Sequence, residues 1–409
     1  MRKGYEQVDH LLLITVFALL VVGIIMITSI GVPKSIQLSA PDVLYPNCSD
    51  SAVDCYLVLK KHLIRVAIGV IAFLAALKIN YRFWDKVATA IFLGSIGLLI
   101  AVFIFGSANN TIAQSWINVG IPFLNSIQPS EVAKFGLVVY LAVWITRRME
   151  KRDGLDDWKQ GFFSFAIISG LILLPVMAQP DLGSSLVLAT IAGGMYFVGG
   201  APIKQILAGI GIAAFFSLIA MISVDYINER FMGFIAPGDH CEESYCWQAE
   251  QSRIAIGSGG LWGKGLTQGI QKSYWLPQAS DDFIFAASAE ELGFFRIIFV
   301  LIGYAIIGYR GFQISAHAPT KFASLLAAGM TIWITAQAFL NIMVNTSLFP
   351  ITGITLPFIS YGGSSMLTSM LAIGVLLNIS KYTTNHAYTT NGRRHSGAHH
   401  PQYRRFGRA

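Results

Sequence analysis

Charged residues are scarce in this sequence: Asp, Glu, Lys and Arg make up only 12% of its 409 residues, while 54% belong to the hydrophobic set. A water-soluble protein carries charge on about a quarter of its positions, and a disordered chain is poor in apolar residues. The composition therefore excludes a soluble enzyme, and it excludes disorder or nucleic-acid binding for the bulk of the chain. We expect a protein that is embedded in a membrane.

The apolar residues form long runs. Cutting the sequence where these runs stop gives about ten stretches near the length of about 20 residues that a spanning helix requires. The first run follows only Arg2 and Lys3 and is about twice as long as the apolar core of a signal peptide, so we interpret it as a retained helix. The predicted fold is an all-α polytopic membrane protein with about ten transmembrane helices. The predicted spans are roughly 10–32, 59–79, 86–106, 129–147, 160–178, 185–200, 203–223, 284–309, 322–345 and 359–380.

Most of the 29 lysines and arginines fall on one face of this arrangement, the face that carries both termini. The positive-inside rule makes that face cytoplasmic, which places the protein in the cytoplasmic (inner) membrane. Three loops of about 33–58, 107–128 and 224–283 then lie outside, the last of them a long extracytoplasmic loop between helices 7 and 8. Residues 1–380 form the predicted membrane domain. Residues 381–409 form a basic flexible cytoplasmic tail, expected to lie near anionic membrane lipids rather than to bind nucleic acid.

All four cysteines lie in the predicted outer loops, Cys48 and Cys55 in the first and Cys241 and Cys246 in the last. The non-cytoplasmic side favours disulfides over reduced thiols. Four cysteines allow three pairings, and the short separation within each loop predicts Cys48–Cys55 and Cys241–Cys246. A zinc site that includes His240 is the alternative, but the spacings match no standard finger pattern.

The segment QPSEVAK, at 128–134, places charge at the start of the fourth span. Glu131 and Lys134 are three residues apart, so they project from one face of a helix and can pair. Charge in a span marks either a structural ion pair between helices or a site that holds a charged substrate. The sequence leaves both interpretations open.

Two further segments break the apolar pattern with proline and glycine. QPDLG, at 179–183, separates spans five and six, and Asp181 there could cap the sixth helix or line a cavity. FPITGITLPFISYGGSSM, at 349–366, contains Ser360 and Ser364 beside helix-breaking residues. Non-helical backbone at membrane depth is tolerated chiefly where it lines a cavity, so we expect a re-entrant or kinked segment there.

The last outer loop ends in a glycine-rich stretch, QSRIAIGSGGLWGKGLTQGIQKSYWLPQASDDFIF at 251–285, followed by AASAEELGFF. The glycines permit tight turns and close approach to a ligand, and Arg253 is one of three cations beside them. The stretch lacks the GK[ST] ending of a Walker loop. Asp281 and Asp282 lie where the loop re-enters the membrane, where they could stabilise a helix N-terminus capped by Ser280 or form a site.

Five motifs in order resemble the signatures of the SEDS family, the shape, elongation, division and sporulation proteins. The resemblance covers essentially residues 8–380. It implies a peptidoglycan glycosyltransferase that polymerises lipid II at the outer face of the cytoplasmic membrane. The motifs are QPSEVAK at 128–134, QPDLGSS at 179–185, AIGSGGLWGKG at 255–265, LPQASDDFIFAASAEELG at 276–293 and PITGITLPFISYGGSS at 350–365.

The resemblance places the family's key carboxylate on Asp282, which directly precedes the FIF of the motif. Three departures from the family pattern are visible. Asp281 stands where the family has threonine. Lys61-His62 stands where an Arg-Gln pair is common, which keeps positive charge but loses bidentate geometry. Ser115 stands where the family often has an arginine.

The implied reaction determines which groups the site needs. A sugar hydroxyl attacks an anomeric carbon whose leaving group is a lipid pyrophosphate, so a base and positive charge are required. We expect Asp282 to be the base. A divalent cation, Mg²⁺ or Mn²⁺, is a further option, with Asp281 and Asp282 as its candidate ligands; no organic cofactor is implied. The predicted substrate-binding residues are Lys61, Glu131, Lys134, Asp181, Arg253, Ser360 and Ser364, of which Lys61, Lys134 and Arg253 would stabilise the pyrophosphate.

The resemblance also implies partners: lipid II as substrate, a class B penicillin-binding protein as transpeptidase, docked against spans eight and nine or the outer loop, and other divisome proteins. The wording of 271–277 (Gln-Lys, then Leu-Pro) and the basic tail favour the division type, FtsW, over the elongation type, RodA. A lipid II flippase would use similar buried charges and broken helices, and a non-catalytic scaffold is a third alternative.

Overall fold

The computed structural model describes residues 8–41, 48–50, 53–107, 115–121, 124–151, 154–235 and 245–394. A π-helical turn, Trp158–Phe163, leads directly into the sixth α-helix. A three-stranded antiparallel sheet lies between the fourth and fifth helices, with the strands β1 (Gly106–Ser107), β2 (Trp116–Ile121) and β3 (Leu124–Ile127) in that order. The α-helices are α1 (His10–Ile30), α2 (Val32–Ser39), α3 (Leu57–Lys78), α4 (Arg82–Phe105), α5 (Pro129–Met149), α6 (Ser164–Ala178), α7 (Leu182–Val198), α8 (Ile203–Ser223), α9 (Asp225–Ile235), α10 (Tyr245–Gly259), α11 (Ile284–Leu292), α12 (Phe294–Ala316), α13 (Lys321–Asn345) and α14 (Gly363–Arg394).

Within the described residues, eight helices are long and apolar enough to cross a membrane: α1, α4, α5, the π-turn with α6, α8, α12, α13 and α14 as far as Thr383. Two more complete the ten predicted spans. α7 is apolar but has only 17 residues, and α3 has 22 residues but carries Lys60, Lys61 and Arg65 in its first half. The predicted polytopic helical fold is confirmed, and the small sheet is an addition that the hydropathy pattern did not predict.

The helices α5, α13 and α14 are the most deeply buried spans. α14 packs along α3, and α13 packs along α7, α12 and α5. Inside lipid no hydrophobic effect drives helices together, so they associate through close packing. Small residues at the helix interfaces allow the backbones to approach closely enough for this packing. A Cβ atom on Gly374 of α14 would lie 2.6 Å from the backbone oxygen of Phe73 of α3.

The predicted eighth span, 284–309, is two helices rather than one. Gly293 separates α11 from α12 with a φ of 75°, and α12 then continues to Ala316. An added Cβ on Gly293 would lie 2.1 Å from the backbone nitrogen of Gly263. The break falls just after Glu290 and Glu291, at Gly293, where the outer loop crosses the helix.

The structure adds helices within two other predicted segments. The last outer loop, 224–283, contains the helices α9 and α10. The segment 381–409 was predicted to be flexible from its start, but α14 continues to Arg394. The first residues beyond the span dock onto the end of α3: the Lys381 ammonium donates to the Leu77 carbonyl at 2.9 Å, and the ring of Tyr382 packs against Tyr81 at 5.2 Å. These contacts favour continuation of the helix.

The predicted disulfide between Cys48 and Cys55 is present in the first outer loop. The second predicted pair, Cys241–Cys246, includes Cys241, which lies outside the described residues, so that pairing stays a prediction.

Candidate active site

Asp282 lies in the turn that leads from the outer loop into α11, and it is half-buried. Its backbone carbonyl accepts hydrogen bonds from the side-chain amides of Asn341 at 2.8 Å and Asn345 at 2.9 Å. The Asn345 amide oxygen also accepts from the Ala286 backbone N–H at 3.0 Å. Two asparagines of α13 therefore fix the backbone at this turn, while no side chain in the described part of the chain donates a hydrogen bond to the Asp282 carboxylate.

The pKa of Asp282 is raised from 3.8 to about 7, chiefly because burial disfavours the charged carboxylate and secondly because Asp281 adds a like charge. Lys34 and Arg230 act in the opposite direction, and Asp181 raises the pKa slightly further. A carboxylate with a pKa near neutrality is suited to general-base catalysis, because it is available in its basic form and binds a proton strongly enough to remove it from a hydroxyl.

The Asp281 carboxylate, unlike that of Asp282, has side-chain partners among the described residues. Its carboxylate forms an ion pair with Lys34 and accepts a hydrogen bond from Ser280 Oγ at 3.1 Å. Its backbone oxygen accepts from Ser360 Oγ at 2.6 Å. The geometry therefore separates the two neighbouring aspartates: Asp281 is an internal ion-pair partner, and Asp282 presents the available carboxylate.

Positive and aromatic groups surround Tyr361 next to these aspartates. The Lys34 ammonium lies 5.4 Å from the centre of the Tyr361 ring, and the Arg65 guanidinium carbon lies 4.3 Å from it. The Tyr361 backbone N–H donates to the Ser280 carbonyl at 3.0 Å, which joins the segment before α14 to the outer loop. His62 is buried with its ring 6.2 Å from that of Tyr361.

Sequence reasoning missed Lys34 and Arg65. Arg65 could have been recognised as a candidate site residue, because it is a charged residue inside an apolar run. Lys34 is a single cation in an outer loop, and no feature of the sequence marks it as a site residue. Lys61 was predicted to bind the pyrophosphate, and the structure records no ion pair of Lys61 with another described residue. Its neighbour His62 and Arg65, three positions apart, are the residues of α3 that reach the Tyr361 cluster.

Arg253, the third predicted pyrophosphate cation, is exposed on α10. The outer-loop cation that acts on Asp282 is instead Arg230 of α9. Arg230 Nη1 donates a hydrogen bond to the Ile351 carbonyl at 3.2 Å, which joins α9 to the segment before α14. The structure therefore adds Arg230 as a cation near Asp282, and contact of Arg253 with the pyrophosphate stays a prediction.

Glu131 and Lys134 form an ion pair of 2.8 Å, with side chains that are 4% and 0% exposed. Lys134 also donates to the Gln337 amide oxygen at 2.9 Å. The Gln337 amide nitrogen in turn donates to the Thr355 carbonyl at 3.1 Å. This network joins α5, α13 and the segment before α14, so the structure favours the interpretation as a helix-joining ion pair over direct contact of Lys134 with a pyrophosphate.

Asp181 both caps a helix and links two motifs. One carboxylate oxygen accepts from the Ser184 backbone N–H at 3.0 Å at the start of α7. The other accepts from the Gln128 side-chain amide at 2.9 Å and from Ser130 Oγ at 3.2 Å. The capping interpretation is therefore confirmed, and the interpretation that Asp181 lines a cavity stays a prediction.

The predicted substrate-binding serines are used inside the fold. Ser360 Oγ accepts from the Leu356 backbone N–H at 2.8 Å while donating to Asp281. Ser364 Oγ accepts from the Gln128 backbone N–H at 3.3 Å. Both hydroxyls hold backbone in place around the site, and their contact with a substrate stays a prediction.

The glycine-rich stretch packs closely around α11. Glu290 is fully buried and accepts from the Lys264 ammonium at 2.7 Å and from the Ile270 and Gln271 backbone N–H groups at 3.0 Å each. An added Cβ on Gly263, whose φ is 82°, would lie 2.2 Å from the Glu291 carbonyl. Glycine at this position permits close approach of the loop to the helix backbone, and contact of the stretch with a ligand stays a prediction.

Glu291, the next residue of α11, also has a buried carboxylate that pairs with a lysine of the outer loop. Its carboxylate accepts from the Lys272 ammonium at 2.7 Å, from Ser29 Oγ at 2.7 Å and from the Thr267 backbone N–H at 3.1 Å. Two buried glutamates, each with its own lysine, therefore fasten the loop to α11 and to the end of α1. This arrangement fixes the position of the turn that carries Asp282.

The described residues do not fit a divalent cation held by protein ligands alone. In the described part of the chain no group of three or more His, Cys, Asp or Glu side chains converges as a metal site would require. Lys34 already pairs with Asp281, one of the two candidate ligands. No catalytic step below is routed through a metal ion.

Relatives with solved structures share this fold. A chain from a structure described as the structural coordination of polymerization and crosslinking by a peptidoglycan synthase complex is 22% identical, with a TM-score of 0.70 over 92% of this chain and 98% of that one. The rod shape determining protein RodA of Thermus thermophilus is 23% identical, with a TM-score of 0.64 over 92% of this chain and 97% of that one.

Sequence relatives are closer. Stage V sporulation protein E of Bacillus subtilis is 36% identical, over 92% of this chain and 97% of the relative. A protein named probable peptidoglycan glycosyltransferase FtsW, from Geobacter metallireducens, is 33% identical over 92% of this chain and 96% of the relative. A family model described as cell cycle protein matches residues 9–385. The chain therefore belongs to the FtsW, RodA and SpoVE family of cell cycle proteins.

Proposed function

We propose that this protein is a peptidoglycan glycosyltransferase that polymerises lipid II into glycan strands, with Asp282 as the general base. Relatives that are at least 32% identical carry the name probable peptidoglycan glycosyltransferase FtsW. The observation that carries the mechanism is the separation of two adjacent aspartates, in which Lys34 engages Asp281 and leaves the Asp282 carboxylate available.

The reaction is a single displacement. Asp282 removes the proton of an acceptor sugar hydroxyl, the hydroxyl oxygen bonds to the anomeric carbon of the donor, and the bond from that carbon to the lipid pyrophosphate breaks. The pyrophosphate departs as an anion and needs no strong proton donor, so one carboxylate is sufficient. Positive charge must meet the departing phosphates, and Arg65 beside Tyr361 is the cation of the site that no carboxylate in the described residues neutralises.

We place the site on the outer face of the cytoplasmic membrane, with both termini inside. Most lysines and arginines lie in loops on the same side of the membrane as the two termini, and the positive-inside rule makes that side cytoplasmic. The Cys48–Cys55 disulfide lies in the same outer loop as Lys34, and disulfides persist in oxidising compartments outside the cytoplasm. The two arguments are independent and agree.

A class B penicillin-binding protein is the proposed partner, together with other divisome proteins. An apolar groove of about 460 Å³ lies between α12 and α13, the eighth and ninth predicted spans. Its lining includes the small residues Ala305, Gly308 and Ala336 as well as the aromatic residues Tyr309 and Phe339. Small residues allow a single transmembrane helix to pack closely in lipid, which is the kind of anchor that such a transpeptidase has.

Division is the proposed cellular role. Several relatives are named FtsW, and the residue pattern at 271–277 also favours the division type. The likeness to stage V sporulation protein E is equally close in identity, so sporulation is the second candidate role. Depletion in growing cells separates the two: failure to divide supports the first, and normal growth with defective spores supports the second.

The activity test uses purified full-length protein with lipid II in detergent, with and without a candidate transpeptidase partner, and gel separation of the glycan products. We expect polymer from the parent protein and none above background from Asp282→Asn. A flippase would make no polymer under these conditions, so absence of product with every partner tried would refute the proposed activity.

A further inference from the structure

Lys34 is a residue that none of the five motifs contains, and it is the group that makes the two aspartates different. Its ammonium pairs with Asp281 and donates to the Gln278 amide oxygen at 3.3 Å. It also faces the Tyr361 ring. A cation in this position engages the outer-loop turn and the segment before α14 at the same time.

The helix that carries Lys34, α2, is a separate eight-residue element that directly follows α1. Ser35 Oγ accepts from the Val58 backbone N–H at 3.0 Å, and Ser39 Oγ accepts from the Asp54 backbone N–H at 3.0 Å. These bonds attach α2 to the start of α3 and to the residues just before it. The helix is therefore held along its length by the loop that returns to the membrane.

The disulfide lies in that returning loop. Cys55 is buried in a small apolar cluster with Ala40 and Val53, against which Val32 and Ile36 of α2 pack. This cluster is separate from the main core of the protein. The Cys48–Cys55 bond thus constrains one residue of the cluster against which the helix that carries Lys34 packs.

We propose that Lys34 is a positioning residue for Asp282: by pairing with Asp281 it leaves Asp282 as the one unneutralised carboxylate of the two, and the disulfide-closed first outer loop holds it there. The inference rests on the proposed function for its role in catalysis. The charge arrangement itself does not depend on that function.

The charged groups that face Asp282 come from four elements. Lys34 lies on α2, Asp281 precedes it in the same turn, Arg230 lies on α9, and Asp181 caps α7. Without Lys34, the negative charge of Asp281 would no longer be offset, and it would disfavour ionisation of Asp282 more strongly. Asp282 would then hold its proton to higher pH and would be a base in a smaller fraction of molecules at neutral pH.

The first measurement does not depend on activity. Dicyclohexylcarbodiimide reacts with protonated carboxyl groups in apolar surroundings, and peptide mass mapping reports the labelling of Asp282 as a function of pH in the full-length protein. In the parent we expect a midpoint near 7. In Lys34→Met we expect the midpoint to rise by about one pH unit, and in Lys34→Met/Asp281→Asn we expect it to return to the parent value.

Lys60→Met is the matched control. Lys60 pairs with Asp54 at 2.8 Å in the same outer region, but its side chain is 65% exposed. Loss of an exposed pair should leave the Asp282 midpoint unchanged. An unchanged midpoint in Lys34→Met, or a raised midpoint that Asp281→Asn does not reverse, would overturn the proposal.

The second measurement is the rate of lipid II polymerisation against pH. We expect Lys34→Met to be about fivefold slower than the parent at pH 7 and to recover at pH 9, and we expect Lys34→Arg to stay within about threefold at both. A loss that is equal at all pH values would indicate a structural role and contradict the proposal. If the parent makes no polymer while the labelling midpoint moves as expected, the proposed function fails and the inference about Lys34 stands.

Discussion

The sharpest prediction concerns Asp282→Asn, which keeps the size of the side chain and removes its ability to accept a proton. A general base contributes about 10²- to 10⁴-fold to the rate, so polymerisation should fall by that factor. In the parent, the rate should fall about tenfold per pH unit below about 7, because Asp282 becomes protonated there and is no longer a base.

The same substitution should stabilise the fold at high pH. The pKa of Asp282 in the folded protein lies near 7 rather than at 3.8, so the charged form opposes folding. The parent therefore loses stability as the pH rises from about 4 to about 7 and the Asn variant does not. At about 1.4 kcal/mol per pH unit, the difference above pH 7 is on the order of 4 kcal/mol as an upper bound, since the side chain retains some contact with solvent.

The assay combines glycan gels with thermal unfolding of purified protein at pH 5.5 and pH 8. We expect Asp282→Asn to be inactive at both pH values and more heat-stable than the parent at pH 8, with a smaller gain at pH 5.5. Near-parental polymerisation by Asp282→Asn would refute the assignment. An Asp282→Asn protein that is less stable than the parent at pH 8 would refute the argument from burial.

Asp281→Asn is the adjacent control. Its side chain is 19% exposed and its partner Lys34 is 30% exposed, so loss of the ion pair should cost at most about 1 kcal/mol of stability. Freed from Asp281, Lys34 should lower the pKa of Asp282 and move the rate profile towards acid. Equal loss of activity in both variants would instead indicate that the two carboxylates act together, as ligands of a shared cation would.

Three further predictions concern the surroundings of the site. Cys48→Ser/Cys55→Ser should remove about 2–3 kcal/mol of loop-closure stabilisation and raise the Asp282 labelling midpoint in the same direction as Lys34→Met; an unchanged midpoint would mean that α2 is held without the disulfide. Truncation after Arg394 should leave polymerisation in detergent intact, because the removed residues contain no apolar run and are predicted to lie on the cytoplasmic side; loss of activity in a well-folded truncation would contradict the topology. Gly293→Ala should cost roughly 3 kcal/mol or more in thermal-unfolding measurements, because the new Cβ would meet backbone at a positive φ; Gly257→Ala, where a Cβ meets nothing within 4 Å, should be tolerated.

Composition and hydropathy were sufficient for the membrane fold and for the order of the spans. The hydrophobic requirement of a bilayer acts on each stretch of about 20 residues separately, so it can be recognised locally in the sequence. The same holds for the Cys48–Cys55 disulfide, whose two cysteines are close in the chain. The five motifs also indicated the family and the position of Asp282, because their residues are contiguous.

The partners of the charged residues required the tertiary structure. Lys34 and Asp281 are 247 positions apart in sequence, yet they pair, and Lys134 reaches Gln337 over 203 positions. Nothing local distinguishes Arg253, which is exposed, from Arg230, which acts on Asp282. Whether a charge binds a substrate or joins two helices depends on what lies opposite to it, and that is decided only when the helices pack.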